Sequence, residues 1–243
     1  MLSISMVRSV FYAAILTLCF SCKNKSDIAD YYFPTGKLKN GKVYEYRFVG
    51  KPEVMPEYWF RVSNEGDDIG KKGHFFESTL YDANMQARQF VREEIVGNGV
   101  LLDELQLFFK DTTGKQAQVK PVIISANVYP FEVQDTSLKY FYKIFFKNPF
   151  DTLQSTYLTR SRTYRGKKQY NYQGKKLDCV EFTLEEKYVD DREGRWEKVV
   201  YGTELYANGI GLVYYKKGLQ KEFALEYELA GIYPLEELKK KLK

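Results

Sequence analysis

Lys42-Val43-Tyr44-Glu45-Tyr46-Arg47-Phe48 decides the fold class of this chain. Aromatic rings at 44, 46 and 48 alternate with Glu45 and Arg47, and a period of two belongs to a half-buried strand. Working outward, strand-like runs follow at 57–62, 74–81, 85–96, 100–109 and 116–128. Glu65-Gly66-Asp67-Asp68, Asp82-Ala83-Asn84, Gly97-Asn98-Gly99 and Thr112-Thr113-Gly114 read as the turns between them. The second half continues in the same style at 152–164, 168–172, 177–189, 196–207, 210–216 and 221–230. Its turn signals are Arg165-Gly166-Lys167, Gln173-Gly174-Lys175 and residues 190–195. Links this short favour antiparallel neighbours, because parallel pairing needs a crossover of a dozen or more residues. The expected class is mainly β and antiparallel, without an internal repeat.

Residues 138–147 carry two patterns. Leu138, Phe141, Tyr142 and Phe145 make a helical stripe, whereas Tyr140, Tyr142, Ile144 and Phe146 make a strand face. Aromatic content and the Asn148-Pro149 turn favour the strand. The last ten residues read as a short helix. Pro234 suits its first turn, Glu236 and Glu237 its positive end, and Lys239, Lys240 and Lys241 its negative end. Leu235, Leu238 and Leu242 form the face expected to dock on the sheet, with membrane contact as the alternative. So short a helix is marginal on its own.

The N-terminus has the order of an export signal. Arg8 is the one charge before an apolar run from Val10 to Phe20, which is too short to cross a bilayer as a helix. Ser21, a small residue, precedes Cys22, and the composition then turns polar at Lys23-Asn24-Lys25-Ser26-Asp27. Leu18-Cys19-Phe20-Ser21-Cys22 resembles the lipobox of bacterial lipoprotein precursors, although Leu18 sits one position early and Phe20 is bulky. The resemblance implies cleavage after residue 21 and acylation of Cys22. Residues 1–21 are then the signal, 22–30 a lipidated tether and 31–243 one β-rich domain. An uncleaved apolar N-terminus is the competing reading. Several acyl chains on one cysteine would anchor the protein without a transmembrane helix.

Chemistry is sparse. The formal net charge is +5, one unit of it Arg8 in the signal, which lacks the concentrated positive charge of nucleic-acid binding. The one histidine, His74, lies in a strand run, too few for a His-rich zinc site. Cys179 reads as a packed or half-exposed structural thiol, since a nucleophile needs a base beside it. Asp190-Asp191-Arg192-Glu193-Gly194 lacks EF-hand spacing and reads as a hairpin turn. Gly209-Ile210-Gly211 is followed by strand-like Leu212-Val213-Tyr214-Tyr215, so it is no nucleotide loop. Basic turns at 165–168, 175–176 and 216–217 read as edge protection. Glu93 and Glu94 are neighbours and would face opposite sides of a strand. No catalytic residue, metal ligand or cofactor is assigned, and a hydrolase using acidic residues stays a remote option.

Tyr206-Ala207-Asn208-Gly209-Ile210-Gly211-Leu212-Val213, with Tyr227-Glu228-Leu229, resembles the closing hairpin of secreted half-barrel proteins of the outer-membrane lipoprotein carrier and insertion type. That resemblance implies a curved antiparallel sheet or half-open β-barrel whose concave apolar face holds acyl chains or a partner segment. The two-sided aromatic run Glu57-Tyr58-Trp59-Phe60 requires cover on both faces. The expected function is therefore a non-enzymatic envelope lipoprotein binding an apolar ligand or partner segment. The alternative is an accessory subunit of an envelope or surface-glycan assembly, which would show a flat apolar patch. Lys23 after the modified cysteine favours outer-membrane sorting by resemblance to other lipoproteins.

Overall fold

A computed structural model describes residues 26–50, 54–68, 71–133, 136–220 and 223–241. In chain order the strands are β1 (Ser26–Asp27), β2 (Lys42–Phe48), β3 (Glu57–Asp68), β4 (Lys71–Tyr81), β5 (Ala87–Val96), β6 (Gly99–Lys110) and β7 (Gln116–Val119). They continue as β8 (Val122–Ala126), β9 (Tyr129–Pro130), β10 (Glu132–Val133), β11 (Lys139–Asn148) and β12 (Asp151–Tyr172). The last are β13 (Lys175–Asp191), β14 (Arg195–Ala207), β15 (Gly211–Gln220) and β16 (Phe223–Tyr233), followed by a helix, α1 (Leu235–Lys241).

All but β1 and β10 belong to one 14-stranded antiparallel sheet. One meander runs from β2 to β7, another from β11 to β16 with β8 at its outer edge, and they join where β16 pairs with β2. The strands β7 and β8 stand at opposite ends of the strand order, yet only Lys120 and Pro121 separate them in the chain. The sheet must therefore curl until its ends approach each other. Phe109 of β6 and Phe146 of β11 meet across that gap with ring centroids 5.8 Å apart. The ends do not pair with each other, so the architecture is the expected curved, half-open barrel.

The inward face is aromatic because alternation places every second ring there. Cross-strand register aligns Tyr164, Phe182, Glu204, Tyr215, Tyr227 and Phe48 in one row over six strands. Residues 28–38 enter this space from the N-terminal side. Ile28, Tyr31, Tyr32, Phe33 and Leu38 are all buried there, and Phe33 stacks on Phe76 at 5.1 Å. The Gly209 amide ties the segment down by donating to the Asp30 carbonyl at 2.7 Å. On the outer face Leu238 of α1 is fully buried against Val43, Tyr58 and Tyr233. The two-sided strand is thereby explained: Tyr58 and Phe60 face α1, and Trp59 faces the interior.

Several expectations change. The run 116–128 is two strands, not one, because Pro121 cannot donate to a ladder and breaks it. Arg165-Gly166-Lys167 is no turn: β12 runs through it, and a bulge between Tyr164 and Gly166 takes up Arg165 as the extra residue, with Gly166 at φ +124° paired to Glu181. Glu65 to Asp68 likewise continue β3, paired with β4. The two-pattern stretch, by contrast, is the favoured strand: β11 runs over Lys139–Asn148, with Ile144 fully buried inside. Part of the stretch read as tether is packed: Ser26 and Asp27 pair with Val133 and Glu132, and Ile28 joins the core.

Candidate functional site

The curl encloses a half-open cavity of about 240 Å³. Its walls combine aromatic and aliphatic side chains (Phe33, Trp59, Leu80, Val91, Leu102, Tyr129) with charged ones. This corrects the expectation of a simply apolar concavity. Arg61, Arg160, Arg162, Lys217, Glu57, Glu93 and Glu204 all reach the lining. A barrel of this width leaves room for polar groups inside, where a flat sandwich would exclude them.

Adjacent strands place the charges at one end. Arg160 and Arg162 share a face of β12, and Glu204 of β14 is 1% exposed between them. Glu204 accepts from Arg160 Nη2 and Arg162 Nε, each at 2.6 Å, and from the Tyr206 hydroxyl at 3.0 Å. Glu186 accepts from Lys217 at 3.1 Å and lies 3.3 Å from Arg160 Nη1. Burial alone would raise the Glu204 carboxyl, but Arg162 and Arg160 more than reverse it and hold it well below the usual carboxylate range. Burial likewise opposes ionisation of Glu186, and Arg160 and Lys217 override it. Burial and Arg160 draw the Lys217 ammonium below its ordinary range, against the pull of Glu186. Such a cluster is sound only while each member keeps its partners.

The opposite wall differs. Tyr32 donates to Glu93 at 2.5 Å, and Tyr215 donates to Glu57. Burial and the adjoining carboxylates keep both phenols protonated well above their ordinary range. Arg61, 6% exposed, stacks over Phe33 at 3.9 Å and Trp59 at 4.9 Å. Its Nη1 donates to Ser78 at 2.8 Å, whereas its Nε is buried without an acceptor. Arg160 Nε is also buried and unpaired.

The residues singled out from sequence are mostly elsewhere. Cys22 and the signal lie outside the described residues. His74 meets the Ser63 hydroxyl at 2.7 Å, outside the cavity lining, and among the described residues no carboxylate orients its ring. Cys179 is 1% exposed in the core; burial first, then Asp178, pushes its thiol up to about 11. Asp190 accepts from Thr156, and Arg192 pairs with Asp151 at 2.9 Å, so the acidic turn is tied into strand contacts. Gly211, at φ +97°, lies where a Cβ would overlap the Phe33 ring. Trp59 lines the cavity and Trp196 is exposed. Glu93 lines the cavity as well. Sequence reading missed Arg61, Arg160, Arg162 and Glu204, and it took Lys216-Lys217 for a protective basic turn, whereas both lie within β15 and Lys217 lines the cavity.

No protein-family model matches the chain, and no curated protein matches it. Two solved structures resemble it. One, from Bacteroides fragilis, is provisionally named an exported protein with a YmcC-like fold; at 12% identity and a TM-score of 0.50 the match covers 83% of this chain and 98% of that one. The other, from Parabacteroides distasonis, is provisionally named a lipoprotein, with 12% identity, a TM-score of 0.47, and coverage of 82% and 95%. The Bacteroides likeness shows a shared fold: a curved antiparallel sheet of this extent is an architecture known in solved proteins.

Proposed function

We propose that this chain is a lipid-anchored envelope protein that binds, without catalysing a reaction, an acyl-bearing ligand or an apolar partner segment inside its half-barrel. The carrying observation is the half-open cavity of about 240 Å³ walled by Phe33, Trp59, Leu80, Val91 and Leu102. Removing an apolar ligand from water there stabilises the complex by about 25 cal/mol per Å². The lipobox-like setting of Cys22 supports the anchor, and the fold is shared with a B. fragilis protein named as exported. Native mass spectrometry of gently purified protein, with solvent extraction, tests the reading. A retained or readily exchanged apolar species is expected. A chain that purifies empty and takes up nothing from vesicles ends it.

One observation favours an accessory-subunit role as a second reading. Val122, Phe145 and Tyr157 align in an outward apolar row that reaches the edge strand β8, where Val122 is 61% exposed. Such a row can accept another protein. Cross-linking in cells that returns one recurrent partner through β8 would support it, and a strictly solitary species would count against it.

A further inference from the structure

We infer that the cavity selects ligands bearing an anionic oxygen group, a carboxylate or a phosphate, and that Arg61 is the residue that receives it. The inference rests on the ligand-binding reading above and specifies its substrate class. The three other cations of the lining each contact a carboxylate: Arg160 and Arg162 share Glu204, and Lys217 pairs with Glu186. Arg61 does not. Among the described residues no carboxylate comes within ion-pairing distance of it, and its side-chain hydrogen-bond partners, Ser78 and Tyr46, are neutral. Aromatic faces at Phe33 and Trp59 stabilise the cation but accept none of its N–H bonds. A guanidinium presents five donors in a planar fork suited to carboxylate or phosphate oxygens. Burying a charged donor without its acceptor is costly, and an incoming oxyanion removes that cost. Glu57 and Glu93 share the lining, but each accepts from a tyrosine hydroxyl. Leu80, Val91 and Leu102 then offer the ligand's apolar part a wall.

The test uses Trp59, which lines the cavity 4.9 Å from the Arg61 guanidinium. The chain has two tryptophans, so Trp196→Phe leaves Trp59 as the sole reporter. The full chain, in phosphatidylcholine nanodiscs, is titrated with octanoate, octyl phosphate, octanol and octylamine while Trp59 fluorescence is followed. The anionic pair is expected to bind about 10- to 100-fold tighter than the alcohol or the amine, the range of a charged hydrogen bond. Whichever anion binds more tightly identifies the head group as carboxylate or phosphate. Arg61→Met should bring the anions down to the affinity of octanol and leave octanol itself unchanged. Octanol binding as tightly as both anions overturns the inference and leaves the ligand-binding reading standing, as does an Arg61→Met chain with undiminished anion affinity. If none of the four perturbs Trp59, both fall. The head-group series on the Arg61 chain decides the matter even where Arg61→Met does not fold.

Discussion

Replacing Glu204 by Gln is the sharpest probe of how the charged interior holds the barrel together. The substitution keeps shape and removes one charge at a site 1% exposed. Arg160 retains Glu186 at 3.3 Å, but Arg162 exchanges a charged two-oxygen partner for at most one neutral carbonyl acceptor and has no other carboxylate partner among the described residues. Breaking one side of a buried pair costs about 3–5 kcal/mol, because the surviving charge stays desolvated. At about 2–4 °C per kcal/mol for a domain of this size, the melting temperature should fall by about 6–20 °C. Urea unfolding followed by circular dichroism supplies the free energy, with the Glu204→Gln and Arg162→Met pair measured singly and together. The double variant should lose less than the sum of the two, with a coupling of about 0.5–3 kcal/mol. Acid supplies an independent arm. The folded Glu204 carboxyl lies below its unfolded value of about 4.3. Its contribution is therefore present above that value and disappears as pH falls toward the folded one. The gap between wild type and Glu204→Gln must then narrow below about pH 4. A loss under about 1 kcal/mol at neutral pH, the worth of an exposed pair, would refute the argument that this cluster is desolvated.

Four further outcomes can be checked, three set by the packing and the last by the sequence around Cys22. Cys179, its thiol lifted to about 11 by burial and Asp178, should resist iodoacetamide at pH 8 and react on denaturation; peptide mapping that finds rapid native labelling contradicts its place in the core. Leu238→Ala empties the fully buried contact of α1 and should cost about 2–5 kcal/mol in urea unfolding, whereas a neutral result would mean that the helix is dispensable. Gly211→Ala, at a positive φ and against Phe33, should destabilise by about 1–3 kcal/mol, with Gly36→Ala, which meets nothing nearby, as the silent control; equal melting of the two would remove the proposed seat of the N-terminal segment. Cys22→Ser should abolish incorporation of radiolabelled palmitate and release the protein from membranes, and acyl label persisting on the variant would move the anchor elsewhere.

What the strand patterns disclosed and what they concealed have one physical cause. Lys42–Phe48 was legible to the residue because one face meets the core and the other meets α1, so Tyr44 and Tyr46 could not change phase with Glu45. The breaks went wrong where a glycine could serve two ends: Gly166 suits a turn, but equally a bulge, and only the pairing of β12 with β13 over both sides of it selects the bulge. The interior charges were hidden by the assumption that a polar letter in an alternating strand faces water. In a curled sheet wide enough to hold a cavity, the inward face can be wet too. The phase itself held the missing information. Arg162 stands two before Tyr164, Glu204 two before Tyr206, Lys217 two after Tyr215, and Arg61 two after Trp59. Residues two apart on a strand share a face, so any argument that sends those aromatics inward sends the charges with them. Two such cations within three residues, as in Arg160-Ser161-Arg162, need carboxylates of matching phase on the next one or two strands, and Glu186 of β13 and Glu204 of β14 satisfy that demand. The same bookkeeping leaves Arg61 without a carboxylate partner among the described residues, which is why the ligand is expected to bring one.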